Sequence, residues 1–488
     1  MTPPRRSTAL PATVLALALT AGLAPFASGA PAGAGAGVGP GGGEKGARYV
    51  VVLADGAADP AALTDRQTRR FRTTPAARFR HALKGYTAEL TPVQVAELRR
   101  DPAVRFVAAE RSYVRTASGE PRTAPRTGAP CGSVPDLTVR QCLPEWADRI
   151  DAEKSSARSG DGRGRAAGVN VAVLDTGIAG DHPDLHVRGG ADCLSGTPVL
   201  PGSSLRDPLE FGTALAGVIG AEDNDRGTVG VAPGTPLWSV KIFPEDGGTA
   251  SDSSVLCALD WVASTRTDAD PDNDIAVANM SFGSYDLLVQ ADDGACGTAN
   301  NDALHLAVCN TTRAGATLVA SALSNRYDIA LEAPAAYDEV LTATAMTDVD
   351  GRPGGKGASG CYGVELESLG FLDDQAAIPF SGFARSAADR RHTVAAPGTC
   401  VASVTRPLDP APTVFFGTGI ATSVVTGLAA LCVDSGRCED GAPARTVHTL
   451  VDDAAAHSRR HEEYGFHGDP LRPIRGRHYG PLVSAARY

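Results

Sequence analysis

Between residues 168 and 456, short apolar runs alternate with longer segments whose apolar residues recur at helical spacing. The apolar runs predict strands at 169–174, 236–243, 275–280, 316–322 and 340–345. Runs that are apolar on both faces are typical of a parallel sheet covered on both sides. The segments between them predict helices at 208–220, 253–265, 300–314, 417–433 and 444–456. Repeated strand–helix order predicts an α/β fold with right-handed crossovers.

Residues 48–107 follow a different pattern, which predicts a small α+β domain. We expect strands at 49–53, 86–90 and 104–107, a short helix at 75–83, and a helix at 91–100 capped by Thr91. Two segments around this domain have little to bury. Residues 31–46 are mainly Gly, Ala and Pro and predict a flexible spacer, and residues 115–135 are rich in Pro, Gly and Arg and predict a linker open to other proteases.

The first thirty residues predict export. Arg5 and Arg6 precede a largely apolar run at 14–23, and the small residues at 28–30 form a cleavage site typical of a secretory signal. After this signal, no run approaches the roughly 18 apolar residues needed to span a bilayer. We therefore expect a secreted protein that is soluble and monomeric.

Composition narrows the partners and the redox state. The net charge of −11, without a basic block, argues against nucleic acid and anionic membranes as partners. Ten cysteines in an exported chain predict disulfides. The pairs nearest in sequence are Cys131 with Cys142, Cys296 with Cys309, and Cys432 with Cys438. Spacing alone does not determine the connectivity.

Three segments carry a family resemblance. Residues 171–177 read Val-Ala-Val-Leu-Asp-Thr-Gly, residues 210–217 read Glu-Phe-Gly-Thr-Ala-Leu-Ala-Gly, and residues 417–422 read Gly-Thr-Gly-Ile-Ala-Thr. They resemble the aspartate, histidine and serine motifs of the subtilisin-like serine proteases, the subtilases. The resemblance implies a three-layer α/β peptidase domain with a mostly parallel sheet at 136–488. It also implies a ferredoxin-like, inhibitor-like propeptide domain at 47–114.

The same resemblance indicates that the catalytic groups are largely missing. It places the orienting carboxylate at Asp175, but Phe211 stands at the histidine position and Gly419 at the serine position. Serine acyl transfer needs an oxygen nucleophile and a base that takes its proton. Phenylalanine has no nitrogen and glycine has no side chain, so neither role can be filled. Asp175 is then a buried carboxylate satisfied by neighbouring hydrogen bonds.

The substrate cleft is altered as well. Residues 317–325 resemble the strand that carries the oxyanion-hole asparagine, and a gapless match places Ser324 at that asparagine. A one-residue insertion would instead place Asn325 there. The gapless match also places Leu323 on the glycine that opens the primary specificity pocket, where a leucine should partly plug it. With Leu323 and Ser324 in place, restoring the histidine and serine is expected to recover little activity.

Two features of the family are retained according to the resemblance. Ser281, Phe282 and Gly283 fall on the strand whose backbone pairs with an extended substrate, and such pairing needs only main-chain groups. The side-chain oxygens of a structural calcium site fall on Gln141, Asp184 and Asn224, with carbonyls from Glu222, Arg226 and Thr228. These are ligands that Ca²⁺ takes. The alternative for these residues is a solvated acidic loop.

The sequence therefore favours a secreted pseudoprotease that binds a peptide or protein along the former substrate cleft. Because such a chain cannot cut itself, residues 47 to about 115 should stay attached and their end should occupy the cleft. One alternative is a secreted serine endopeptidase with a non-standard active site. Another is a decayed gene product without a present role.

Overall fold

The computed structural model describes residues 46–121, 141, 143–163, 167–224, 227–285, 291–355, 360–361, 364–365, 370–405 and 413–488. The predicted signal, residues 31–45 of the predicted spacer, and residues 122–135 of the predicted linker lie outside the described residues. Residues Lys45–Tyr488 belong to one compact unit. None of the described helices combines the length and the apolar character needed to cross a bilayer.

Residues 47–109, the N-terminal domain, form an antiparallel sheet with two helices. Its elements are β1 (Ala47–Leu53), α1 (Pro60–Phe71), β2 (Pro75–Phe79), β3 (Gly85–Leu90), α2 (Pro92–Leu98) and β4 (Val104–Ala109). The strand order is β2-β3-β1-β4, and every neighbouring pair is antiparallel. This β-α-β-β-α-β arrangement is the predicted ferredoxin-like fold. Helix α2 begins after Thr91 with a capping box that includes Gln94.

One element of this domain was predicted wrongly. Residues 75–79 form the strand β2 rather than a helix. Ala77 and Phe79 are buried and Arg78 between them is exposed, an alternation that is typical of a strand with one face in the core. The helix that the pattern missed is α1. It begins where Asp59 accepts a hydrogen bond from the Ala62 N–H at 2.9 Å and Pro60 occupies its first turn.

The rest of the chain supplies seventeen further strands and six further α-helices among the described residues. The strands are β5 (Ser112–Arg115), β6 (Ser118–Pro121), β7 (Val171–Asp175), β8 (Val187–Asp192), β9 (Leu237–Lys241), β10 (Ala250–Ser251), β11 (Val277–Met280), β12 (Phe282–Tyr285), β13 (Thr317–Ser321), β14 (Glu332–Ala333), β15 (Leu341–Thr347), β16 (Gly360–Cys361), β17 (Val364–Glu365), β18 (Gln375–Ala376), β19 (Thr393–Thr399), β20 (Val401–Ser403) and β21 (Thr413–Phe416). The helices are α3 (Glu145–Asp148), α4 (Phe211–Gly220), α5 (Asp252–Thr265), α6 (Ala303–Ala314), α7 (Thr418–Asp434) and α8 (Pro443–Arg460).

A mostly parallel sheet forms the centre of the C-terminal domain, residues 143–488. Its order is β18-β15-β13-β11-β7-β9-β8, with β19 also paired to β15, and only β18 runs antiparallel. Strand β7 shows why both faces are covered: Val171 and Val173 join the core under α4, α7 and α8, whereas Ala172 and Leu174 join the core under α5 and α6. The predicted three-layer α/β fold is confirmed, and β8 and β19 are strands that the pattern did not predict.

The N-terminal domain packs its sheet against α5 and α6. Phe79 and Phe106 belong to the same buried hydrophobic cluster as Val255 and Leu304 of these helices. At the turn after β2, the Asp260 carboxylate of α5 accepts the backbone N–H groups of residues 80, 81 and 82 at 2.6–2.9 Å. The domain is thereby fixed with its C-terminal end next to the large sheet.

The structure gives both partners of three disulfides, and Cys400 is disulfide-bonded as well. Cys296–Cys309 and Cys432–Cys438 confirm two predicted pairs. Cys193–Cys257 joins the end of β8 to α5 across 64 residues, a pairing that spacing did not indicate. The third predicted pair, Cys131 with Cys142, lies outside the described residues.

Arg149 provides a test of what holds the C-terminal domain together. Its guanidinium is fully buried, lies 2.8 Å from the Asp348 carboxylate and 2.6 Å from that of Asp374, and donates to the Tyr464 carbonyl at 2.8 Å. Removing one partner of a buried ion pair leaves the other charges without compensation. We expect Arg149→Met to lower the free energy of unfolding by about 3–5 kcal/mol in urea titrations.

The matched control is Arg437→Met. Arg437 pairs with Asp453 at 2.9 Å but leaves half of its side chain exposed. An exposed pair contributes about 0–1 kcal/mol. Equal losses for the two variants would show that burial of Arg149 is not what makes it important.

Candidate functional site

The segment that follows the N-terminal domain lies in the C-terminal domain as an extended strand. We call residues 112–121 the tail. Its first half, β5, pairs antiparallel with β10 on one side and with β12 on the other, so that Phe282 lies opposite Arg115 and Gly283 opposite Val114. Beyond the strand, the Thr116 N–H and hydroxyl both donate to the Ser281 carbonyl, at 3.1 and 2.9 Å. Residues 281–283 thus pair through their backbone with an extended segment.

The second half of the tail pairs on the far side of the same cleft. Strand β6 runs antiparallel to β21, with Ser118 opposite Phe416 and Gly119 opposite Phe415. The Thr116–Ala117 peptide bond lies between the two paired halves. This bond is therefore positioned at the centre of the cleft.

The carbonyl oxygen of Thr116 is held by two donors. The Gly419 N–H donates to it at 3.2 Å and the Ser324 hydroxyl at 2.9 Å. The Thr418 N–H donates to the Ser324 oxygen at 3.2 Å, which leaves the hydroxyl proton for Thr116. Asn325 instead donates to Glu332 at 2.6 Å. The geometry therefore fits the gapless match and not the insertion. Ser324 at this position still supplies a donor, because its hydroxyl takes the place of the asparagine amide.

Gly419 faces the same peptide bond without a side chain. A Cβ at this position would lie 3.1 Å from the Thr116 carbonyl carbon and 2.8 Å from the hydroxyl oxygen of the Thr116 side chain. The missing side chain leaves room for the uncut tail. The Gly419 carbonyl in turn accepts a hydrogen bond from the Ser281 hydroxyl at 2.8 Å.

Phe211 is the first residue of α4 and lies beside the tail. Its ring packs edge-on against Phe415, with 6.3 Å between centroids, and the guanidinium carbon of Arg115 lies 4.3 Å from its centroid. The following residue, Gly212, donates its N–H to the Thr176 hydroxyl at 2.9 Å, which connects α4 to the end of β7. No proton acceptor is available from the ring at this position.

Asp175 ends β7 and is 1% exposed. Its carboxylate accepts the Thr176 N–H at 2.8 Å. Burial raises the pKa of Asp175 to about 7, although the positive charge of Arg115 and the hydrogen bonds from Thr176 act to lower it. Of the three positions that resemble a catalytic triad, only this one carries an ionisable side chain.

Leu323 fills the space beside Gly283. Its backbone is left-handed, with φ of 53°, its side chain is fully buried, and it occupies the place that a Cβ on Gly283 would need. It packs in a small cluster with Ala322, Ile329, Ala335 and Ala384. The pocket next to Gly283 is therefore filled from within the protein.

Sequence reasoning missed the residues that anchor the tail upstream. The Tyr113 hydroxyl donates to Asp252 at 2.5 Å, and its ring packs edge-on against Phe282. The Arg111 guanidinium donates to both oxygens of Asp302, at 3.0 and 2.5 Å. The signal that could have identified them is the alternation Arg-Ser-Tyr-Val-Arg over residues 111–115 directly after a strand.

The predicted calcium residues lie together. The Gln141 amide donates to the carbonyls of Glu222 and Thr228 at 2.9 and 3.0 Å, and the Asn224 amide donates to Asp184 at 2.7 Å. The Glu222 N–H donates to the Asp184 carbonyl at 3.0 Å, which joins the two groups. Arg226 lies outside the described residues.

The donor set of this group fits Ca²⁺. The Gln141 Oε1 atom is buried and has no hydrogen-bond partner in the described part of the chain. Exchanging the amide nitrogen and oxygen of Gln141 would point this oxygen at the carbonyl oxygens of Glu222 and Thr228. Oxygens that face one another repel, and only a bound cation stabilises that arrangement. A separate group, formed by Asp348, Asp350 and Asp373, also places carboxylate oxygens within 4.8 Å of one another. Arg149 already supplies a positive charge to that group.

Comparison with solved structures supports the fold. Fervidolysin from Fervidobacterium pennivorans, a keratinolytic enzyme related to subtilisin, superposes with a TM-score of 0.58 at 19% identity, over 92% of this chain and 62% of that one. The epidermin leader peptide processing serine protease from Staphylococcus aureus superposes with a TM-score of 0.59 at 16% identity, over 91% of this chain and 97% of that one. At these identities the likeness concerns the fold alone.

Sequence relatives extend the comparison. The thermostable alkaline protease of Halalkalibacterium halodurans is 31% identical over 57% of this chain, and the extracellular serine proteinase of a Thermus species is 30% identical over 72% of it. The matches span 61% and 66% of the relatives' own lengths. The model of the subtilase family matches residues 166–466, more than half of the chain. This protein is therefore a member of the subtilase family.

Proposed function

We propose that this protein is a secreted, catalytically inactive subtilase that keeps its propeptide and acts by binding an extended peptide or protein segment in its cleft. The observation that carries the proposal is the position of the Thr116–Ala117 bond. Its carbonyl is held by two donors, yet it faces Gly419, which has no nucleophile, and the nearby residue at the histidine position is Phe211. Export is proposed from the signal predicted at residues 1–30.

Neither of two nearby candidates replaces the missing groups. The Ser423 hydroxyl is buried and donates to the Gly419 carbonyl at 3.3 Å, one helical turn away. His182 is buried in its own turn, where Nδ1 accepts the Asp184 N–H at 3.2 Å, and burial lowers its pKa to about 4. In subtilisin, loss of the serine or the histidine alone lowers kcat by about 10⁶-fold. Hydrolysis by this chain should therefore be undetectable.

The retained tail also controls access to the cleft. A segment attached to the same chain is present at a high effective concentration, so a free peptide competes poorly with it. The cleft becomes available once another protease cuts the predicted linker and the tail leaves. A partner therefore binds only after another protease has cut the linker.

A second candidate is a secreted endopeptidase with a non-standard active site. The two donors on the Thr116 carbonyl favour it, because such a cradle stabilises the oxyanion of acyl transfer. The relatives named as proteases favour it as well. The two candidates differ in whether any serine is activated and whether the tail is cut.

The first test is self-processing and labelling of the purified full-length protein made in a protease-deficient host. We expect intact mass to show no break at the Thr116–Ala117 bond, and a serine-directed fluorophosphonate to leave the protein unlabelled. Stoichiometric labelling of one serine, or a homogeneous break that added protease inhibitors do not prevent, would establish the endopeptidase instead.

Restoring the histidine and the serine should restore cleavage of the protein's own tail but not efficient cleavage of added peptides. In Phe211→His with Gly419→Ser, the new serine meets a carbonyl that already has two donors, and Asp175 can orient the histidine. We expect a single self-cleavage at Thr116–Ala117 after the tail shifts by a few tenths of an ångström. Turnover of added peptides should stay low, since Leu323 fills the pocket beside Gly283.

The control for this experiment is the same double variant with Asp175→Asn, in which the histidine loses its orienting carboxylate. Cleavage should slow strongly there. An uncut tail in the double variant would mean that the cradle around Thr116 is not arranged for acyl transfer.

We also propose that Gln141, Asp184 and Asn224, with backbone carbonyls, hold a structural calcium ion. An ion that binds only the folded chain stabilises it by about 2.7 kcal/mol at a hundredfold excess over Kd. The melting temperature should fall on chelation, and Asp184→Ala should abolish the difference. The exposed neighbour Asp181 is the matched control, because Asp181→Ala should keep the full calcium response. Equal melting temperatures with calcium and with chelator would show that these residues do not bind calcium.

A further inference from the structure

The Arg115 side chain lies between two aromatic rings where a subtilase-like site would carry its catalytic base. Its guanidinium carbon is 4.3 Å from the centroid of Phe211 and 5.9 Å from that of Phe243. Phe243 is fully buried and is itself fixed by an edge-on contact with Phe282. A guanidinium within about 6 Å of a ring centroid is attracted by the negative face of the ring. Two rings therefore contact one cation.

The buried carboxylate of Asp175 lies close enough to this cation for their charges to interact. The positive charge of Arg115 lowers the pKa of Asp175 against the much larger effect of burial. The Arg115 Nη1 atom is buried and has no hydrogen-bond partner in the described part of the chain. The contacts that the structure gives for the guanidinium are those with the two rings. Arginine suits such surroundings because it is planar and weakly hydrated.

Alternate residues from Arg111 to Arg115 face the same side of the cleft, and the first two of them contact an acid. Side chains two apart on a strand point to the same face. Arg111 contacts Asp302, Tyr113 contacts Asp252, and Arg115 faces the Phe211 ring with Asp175 close enough for their charges to interact. Arg-x-Tyr-x-Arg is therefore complementary to this wall of the cleft.

We propose that the former catalytic centre of this chain is an arginine-binding pocket, with Phe211 and Phe243 as its aromatic walls. Arg115 fills the pocket in the uncut chain, and the ligand class is the arginine side chain of an extended basic peptide. The replacement of histidine by Phe211 contributes directly, because a protonated imidazole would repel the guanidinium and the phenyl ring attracts it. The peptide ligand rests on the proposed function, whereas the pocket itself does not.

Chemical rescue of a cavity variant tests the pocket in the full-length protein. Arg115→Ala removes the side chain and leaves its space between the rings. We expect n-propylguanidinium to raise the melting temperature of Arg115→Ala above that measured with equal n-propylammonium. The wild-type protein should show no such difference, because Arg115 already occupies the pocket.

The aromatic wall is tested in the same assay. Phe211→Leu in the Arg115→Ala background keeps an apolar side chain but lacks the ring, and the rescue should disappear. Phe211→Tyr keeps the ring and should retain the rescue. Equal responses to the two cations, or equal behaviour of the leucine and tyrosine variants, would overturn the pocket.

A double-mutant cycle measures the contact without added ligand. Phe211→Leu and Arg115→Met should each lower the folding equilibrium constant, and their combination should fall short of the product by about 2- to 30-fold, the range of a cation–π contact. The matched pair, Phe211→Leu with Arg111→Met, should be multiplicative, since Arg111 lies over Tyr113 instead. A multiplicative result for the first pair as well would overturn the proposal.

These readouts contain no catalytic step. A protein that cut itself could still show the rescue, and an inactive protein could fail to show it. The outcome for the pocket is therefore independent of the outcome for catalysis.

Discussion

The architecture of the site depends on the antiparallel main-chain pairing of the tail with both sides of the cleft. Strand β5 lies between β10 and β12, and β6 lies against β21. Main-chain pairing sets the register of the segment whatever its side chains are. That register puts Thr116 at Gly419, Arg115 at Phe211 and Tyr113 at Asp252. Each side-chain contact of the site follows from this alignment.

The side chains around the cleft fit one another when they are considered with the tail in place. Gly419 leaves room for the Thr116 carbonyl and hydroxyl, and Ser324 hydrogen-bonds the same carbonyl. Phe211 contacts the Arg115 guanidinium. Leu323 fills a space that the short Thr116 side chain does not require. A cleft that holds one segment of its own chain needs shape and charge complementarity, and it needs neither a nucleophile nor an open pocket.

The N-terminal domain holds the start of the tail in place through contacts that lie outside the cleft. Its sheet shares a buried cluster with α5 and α6, and Asp260 accepts three backbone N–H groups from the turn after β2. Glu110, at the end of that domain, accepts the Ser253 N–H at 2.9 Å in the first turn of α5. A negative charge is favoured at a helix N-terminus. The tail therefore leaves the domain from a defined point and enters the cleft in one register.

The sequence by itself predicted the layered α/β fold, three strands and one helix of the N-terminal domain, and the segments that carry Asp175, Phe211 and Gly419. These follow from local periodicity and short motifs, which depend on residues close together in the chain. Only the tertiary structure decided that residues 75–79 form a strand, that Cys193 pairs with Cys257, that Ser324 and not Asn325 reaches the Thr116 carbonyl, and that Arg115 lies on Phe211. Apart from the strand at 75–79, which pairs with the nearby β3, these contacts join residues tens to hundreds of positions apart. No local pattern encodes them, because they exist only once the strands are paired and the tail has its register.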